Sequence, residues 1–213
     1  MSRLRSDLLE YNSKYVDENG TLKNRLGITN QDDLDKADRM ITTRKLAKLY
    51  LADIKPPFDE KKLYSIHKYL FQDIYDFAGE IRGENIYKSF SFCPPQNIHN
   101  MLRDTLNKAN LISKSIDSKD KLLVFITELY SDLDVIHPFR EGNGRTLREF
   151  IRQYMSYICK TNKLEPCYLD FSKTSREKYI SAITKADASS DYSELLGIFT
   201  EILTSREDKQ KEL

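Results

Sequence analysis

Glycine and proline are scarce in this chain, seven and six in 213 residues, and no stretch is repetitive or of low complexity. Nothing marks a flexible linker, so one continuous domain is expected. Long apolar runs are missing too, and the opening MSRLRSDLLEYNSKY lacks the uninterrupted apolar stretch of a secretory signal or membrane span. A soluble protein is the expectation. Cysteine is rare and shows no CxxC spacing: Cys93, Cys159 and Cys167 are an odd count, which argues against a disulfide framework and fits a reducing cytoplasm. Net charge is nearly absent, 34 Lys and Arg against 33 Asp and Glu giving +1. Bulk charge therefore points to neither nucleic acid nor a membrane surface, and no basic stripe, zinc spacing or DNA-reading helix changes that. Any phosphate chemistry has to come from a local cluster.

What is present is helical periodicity in a chain of 25.0 kDa, long enough to bury a proper core. Leu63, Ile66, Leu70, Phe71 and Ile74 form one apolar stripe. Leu122, Ile126, Leu129 and Leu133 form a second, and Leu147, Phe150, Ile151, Tyr154, Met155 and Ile158 a third. Further helices are expected over about 31–53, 96–113, 174–186 (opened by a Thr174 to Glu177 capping-box pattern) and 192–206. The expected class is all-α. His67 sits among Ile66, Leu70 and Phe71 and reads as a satisfied structural histidine, while Cys93 reads as a small packing residue.

Residues 85–92, NIYKSFSF, break the helical pattern. They put Ile86, Lys88, Phe90 and Phe92 on one side and Tyr87, Ser89 and Ser91 on the other, after Arg82-Gly83 and before Pro94-Pro95. A short hairpin or extended flap fits this alternation. An irregular loop tucking two phenylalanines into the core fits it as well.

The chemistry is concentrated in residues 137–148, His-Pro-Phe-Arg-Glu-Gly-Asn-Gly-Arg-Thr-Leu-Arg, between two expected helices. The turn Gly142-Asn143-Gly144 removes side-chain bulk and leads into a helix N-terminus, whose unpaired N–H groups and dipole favour anions. Arg145 and Arg148, three residues apart on that helix, offer two forked guanidinium groups suited to a polyphosphate. Glu141 precedes the turn and is placed to hold Mg²⁺, a hard cation that takes one or two carboxylates plus phosphate oxygens. His137 is within reach of the same spot, where a neutral imidazole can take the proton of an attacking hydroxyl. Singly, each of these features is ordinary, but no packing need calls for all of them within twelve residues.

HPFREGNGRTLR fills every position of the HxFx(D/E)GNGRxxR motif of Fic-domain proteins, and a motif with about eight specified positions is highly specific. Phe58 to Arg82 resembles the helix before the Fic flap, NIYKSFSFCPP the flap itself, and Asp191 to Phe199 the closing helix. Phe77 stands where many relatives carry Trp, a departure in packing more than in chemistry. The resemblance implies a Fic-type helical bundle over residues 30–205, with a β-hairpin flap at about 84–93 and the motif loop at 137–148. Residues 1–29 would form an N-terminal extension and 206–213 a charged tail.

The activity implied is transfer of AMP from ATP to a Ser, Thr or Tyr hydroxyl of another protein, with pyrophosphate leaving. On that reading His137 is the general base, Phe139 a core anchor, and Glu141 the Mg²⁺ ligand. Gly142, Asn143 and Gly144 line the anion hole, Arg145 holds the β-phosphate and Arg148 the γ-phosphate. Ile86, Lys88, Phe90 and Phe92 of the flap would align the target by strand addition. The intact Glu-Gly-Asn-Gly-Arg argues against the family's kinase-like branch. Another nucleotide or a phosphocholine donor, or an inhibited nucleotide-binding module, are the alternatives, since nothing in the cradle reads the base. Many relatives are restrained by an (S/T)xxxE(G/N) helix. Ser6 to Glu10 and Ser190 to Glu194 give SxxxE, but Tyr11 and Leu195 follow where Gly or Asn is wanted. Tyr15 to Asp38 instead resembles the entry to toxin-like Fic proteins held by a separate small antitoxin, so a partner in trans is expected, with action in the cytoplasm and delivery to another cell left open.

Overall fold

The computed structural model describes residues 13–87 and 91–205. Seven α-helices dominate the described residues: α1 Gln31–Leu51, α2 Glu60–Phe71, α3 Pro95–Ile112, α4 Lys119–Ile136, α5 Asn143–Thr161, α6 Arg176–Ser189 and α7 Ser193–Ile202. Side-chain oxygens start four of them by accepting an orphan N–H of the first turn. Asn30 does so for Asp33, Asp59 for Lys62, Ser118 for Lys121 and Ser175 for Lys178. The cap of α6 is thus Ser175, one residue after the expected Thr174. α3 begins at Pro95 behind Pro94, where a proline's missing N–H costs nothing.

The three apolar stripes meet as expected. α5 lies at the centre, packed against α2 on one side and α4 on the other, and α3 and α7 complete the bundle around α4. Phe58, Phe150 and Tyr154 are buried with ring centroids 4.6–6.0 Å apart, and Tyr130 stands edge-on to Phe199 at 5.3 Å. Phe77, at the position where Trp is common, is buried between Tyr15 and Tyr75 with centroids at 5.2 and 4.8 Å. Residues 13–29, expected as an extension, are part of this body: Tyr15, Val16 and Leu22 are buried, and the Arg25 N–H donates to the Ile74 carbonyl at 2.7 Å.

Two strands were not expected. The segment read as one helix over 192–206 stops at Ile202, and β2, Leu203–Ser205, pairs antiparallel with β1, Cys167–Leu169. Among the described residues the flap contributes an isolated antiparallel bridge, Tyr87 to Ser91. Lys88 and Phe90 lie outside the described residues, as do Ser6 to Glu10 and the tail from 206. No helix among the described residues is long and apolar enough to cross a membrane.

Candidate active site

The motif loop runs from the end of α4 to the start of α5, and buried groups hold it at both ends. His137 is the C-terminal cap of α4 in a left-handed conformation, φ 45° and ψ 62°, which costs a non-glycine residue of order 1 kcal/mol and needs support from its surroundings. Arg82 supplies that support. Its side chain is 1% exposed, and its guanidinium donates to four carbonyls: His137 at 2.8 Å, Ile136 at 3.4 Å, Glu84 at 2.6 Å and Cys93 at 2.6 Å. One cation thus ties both roots of the flap to the open C-terminal carbonyls of α4, the end of a helix that favours positive charge.

His67 holds the middle of the loop. It is fully buried and stacks on Phe139 with centroids 3.8 Å apart. The Gly79 N–H donates to Nδ1 at 2.7 Å, so the proton sits on Nε2, which donates to the Glu141 carbonyl at 2.9 Å. Burial pushes its pKa down to about 4, and the expected satisfied structural histidine is what the fold contains. Asn143 closes the loop on itself. Its Oδ1 accepts the Phe139 N–H at 2.8 Å and its Nδ2 donates to the Phe139 carbonyl at 2.7 Å. Phe139 is buried beneath, as an anchor.

On this frame the candidate base is set. The His137 Nδ1 lies 3.1 Å from the Asp134 carbonyl, an oxygen that can only accept, so Nδ1 carries the proton and Nε2 is the basic nitrogen. Phe92 stacks on the imidazole, centroids 3.9 Å apart, and is 2% exposed. Phe92 was expected to face a target; its ring instead fixes the histidine. Ile86 stays at the flap, its carbonyl accepting the Phe92 N–H at 3.3 Å.

The anion cradle differs in detail from the expectation. Gly142, at φ 80°, precedes α5, and the first helical bond runs from the Thr146 N–H to its carbonyl at 3.1 Å. The N–H groups of Asn143, Gly144 and Arg145 therefore open the helix with no intrahelical acceptor. The Gly142 N–H is already taken by the Glu141 carboxylate at 2.8 Å, and the Asn143 amide by Phe139. Glycine is required at 142 by packing, because a Cβ there would stand 2.2 Å from the Phe71 ring. At Gly144 a Cβ would meet only the Arg148 Nη1, at 3.4 Å.

Arg145 and Arg148 both border the cradle. Arg145 lies over the Phe71 ring at 4.7 Å and forms an ion pair with Asp38 of α1. Arg148 lies over Phe171 at 5.5 Å. The Glu141 carboxylate is 41% exposed at the rim of a cleft of about 740 Å³, in the range of small-molecule sites. The cleft brings together His137, Glu141, the 142–145 segment and Arg148, walled by Asp38 and Arg39 on one side and Phe171 and Tyr179 on the other. No cluster of three His, Cys, Asp or Glu occurs among the described residues. A half-exposed rim carboxylate beside an anion cradle suits a cation that takes its remaining ligands from phosphate and water. Of the SxxxE candidates, Glu194 is outside this cleft and pairs with Lys185 at 2.7 Å.

Comparison with known proteins gives the family and the fold. Residues 57–155 match the model of the Fic/DOC family. "Probable protein adenylyltransferase y4lH" of Sinorhizobium fredii is 31% identical over 157 residues, 68% of this chain and 77% of that protein. The chain belongs to the Fic/DOC family. "Protein adenylyltransferase VbhT" of Bartonella schoenbuchensis is 34% identical over 152 residues, and the aligned part covers 67% of this chain but only 30% of that longer protein. Among solved structures, the N-terminal Fic domain of a VirB-translocated Bep effector protein from Bartonella quintana, with bound ADP, superposes with a TM-score of 0.80 at 23% identity, covering 94% of this chain and 98% of that one. The Fic fold therefore extends on both sides of residues 57–155.

The cleft gathers His137, Glu141, Arg145 and Arg148, all named from the sequence, whereas Arg82, Asp38 and Asp134 were not assigned to the site. Arg82 carried a faint signal, an arginine standing directly before Gly83 and the flap.

Proposed function

We propose that this Fic protein transfers AMP from ATP to a hydroxyl side chain of another protein. The observation that carries this reading is the pairing of His137, in the tautomer that leaves Nε2 basic, with the open N–H groups of Asn143, Gly144 and Arg145 in one cleft. Relatives named protein adenylyltransferases support it. In the proposed reaction Nε2 accepts the proton of the target hydroxyl as its oxygen attacks the α-phosphorus. The bond from that phosphorus to the bridging oxygen breaks, and pyrophosphate leaves with the electron pair. The N–H groups and Arg145 and Arg148 stabilise the charge that builds on phosphate oxygens. Glu141 is the residue that would hold Mg²⁺, which when bound neutralises phosphate charge.

The flap is proposed to align the target, through Ile86, Lys88 and Phe90. Phe92 acts from beneath by bracing His137. A separate small protein carrying an (S/T)xxxE(G/N) helix is the proposed restraint, its glutamate directed at Arg148. Action in a cytoplasm that supplies ATP completes the reading.

The test is label transfer in a cell lysate with Mg²⁺ and ATP labelled at the α or the γ phosphate. Protein-bound α label that disappears in His137→Ala is the expected result. Label arriving from γ alone would replace AMP transfer by phosphorylation. No label from either would favour an inhibited nucleotide-binding module, unless removal of a copurifying small protein restores it.

A further inference from the structure

We propose that Asp38, on α1 and outside the residues matched by the family model, is the positioning residue that presents Arg145 to phosphate; the inference rests on the AMP-transfer reading. Arg145 and Asp38 are separated by 107 residues, and their side chains meet two-pronged: Nη1 on Oδ1, and Nη2 on Oδ2 at 3.1 Å. Two parallel bonds between a fork and a carboxylate fix direction as well as distance.

Asp38 is itself held. It is 4% exposed, and the Tyr75 hydroxyl donates to its Oδ2 at 3.1 Å. Burial raises the Tyr75 pKa far above an ordinary phenol's, so that hydroxyl remains a donor. Thr42, one turn along α1, donates to the Asp38 carbonyl at 2.8 Å and accepts from the Arg145 Nη1 at 3.1 Å. The Phe71 ring closes one face of the guanidinium, and Glu141 touches Nη2 at 3.4 Å. Aspartate, threonine and phenyl ring thus hold the Arg145 guanidinium directly, and the tyrosine holds the aspartate. Its side chain keeps 22% exposure, and both Arg145 and Asp38 line the cleft.

A long, flexible arginine at the mouth of a cleft would otherwise spread over many rotamers, and ordering it would oppose catalysis at each turnover. A buried, fully bonded support removes that cost in advance. Asp38 touches neither ATP nor target in this proposal. It acts through Arg145.

The test varies ATP in the lysate α-label assay for wild type, Asp38→Asn, Arg145→Ala and the double variant. It is run well below the melting temperature of each protein. Asp38→Asn keeps the shape and removes the charge, so we expect the apparent kcat to fall tenfold or more while the KM for ATP moves less than threefold. In the Arg145→Ala background the same change should have no further effect. A lower KM with kcat unchanged would show instead that Asp38 competes with phosphate for Arg145. Additive losses, or no loss, would equally overturn the proposal. The Arg145 side-chain ¹⁵Nε signal, followed by NMR without ATP, gives a readout independent of activity. A sharp wild-type signal that broadens in Asp38→Asn supports the positioning role, and an unchanged signal refutes it. If wild type transfers no α label while the NMR change is present, the AMP-transfer reading has failed rather than the Asp38–Arg145 coupling.

Discussion

His67 makes the fold sensitive to acid in a way that can be isolated from its other titrating groups. Its folded pKa, about 4, lies below the value of about 6.5 expected of an unfolded histidine. The depressed pKa means that the folded state favours the neutral ring. The stabilisation is fully present above about pH 6.5 and is lost as pH falls toward 4. At 1.36 kcal/mol per pKa unit the shift corresponds to about 3 kcal/mol. The geometry gives the same sign, because a proton added at Nδ1 would point at the Gly79 N–H, a donor 2.7 Å away. The assay is urea denaturation of wild type and His67→Gln at pH 7.5, 6.5, 5.5 and 4.5. Glutamine can still donate to the Glu141 carbonyl but leaves the Gly79 N–H without its acceptor, a cost of about 1–3 kcal/mol. The variant should therefore be less stable at pH 7.5, and the gap should shrink by more than 1 kcal/mol by pH 4.5. A gap independent of pH would refute the argument, as would an NMR titration placing the His67 pKa near 6.5.

Other substitutions separate holding the loop from acting on a ligand. Gly142→Ala sets a methyl carbon 2.2 Å from the Phe71 ring at φ 80°, and should lower stability by about 3 kcal/mol or more in urea unfolding. Gly144→Ala meets only the Arg148 guanidinium, so it should melt within a few degrees of wild type yet weaken ATP binding measured by calorimetry. Arg82→Met leaves four carbonyls without their donor and should cost about 3–5 kcal/mol, with faster amide exchange of residues on both sides of the flap. Ile86→Gly combined with Lys88→Gly should reduce target labelling more than ATP affinity; equal loss of both would remove the flap from target alignment.

Much of the fold was legible because helical stripes report burial directly: the apolar residues of α2, α4 and α5 named from spacing alone are all in the core. Boundaries were less so. Thr174 and Ser175 both offer a cap hydroxyl, and the choice between them is made by backbone geometry that composition does not encode. Leu203–Ser205 reads as the end of a helix because three residues carry no period. It becomes a strand by finding Cys167–Leu169 across the fold. The site divides in the same way. His137, Glu141 and the glycines are contiguous, and contiguity is what a motif records. Arg82 reaches His137 across 55 positions and Asp38 reaches Arg145 across 107, so no local pattern signals either contact.

The motif itself turns out to hold two kinds of residue. Phe139, Gly142 and Asn143 are consumed in building the loop: a buried ring, a glycine against Phe71, and an amide bonded twice to the Phe139 backbone. His137, the N–H groups of 143–145, Arg148 and the Glu141 carboxylate face the cleft. Arg145 stands between the classes, one side bonded to Asp38 and the other open. Losing activity on mutating a motif residue therefore does not assign it a chemical role, since a collapsed loop and a missing base both abolish turnover. The two can be told apart because the loop builders act on stability at every pH and in the absence of ATP. The Glu141 side chain is 41% exposed at the rim, so Glu141→Gln should leave the unfolding free energy within about 1 kcal/mol of wild type while abolishing label transfer.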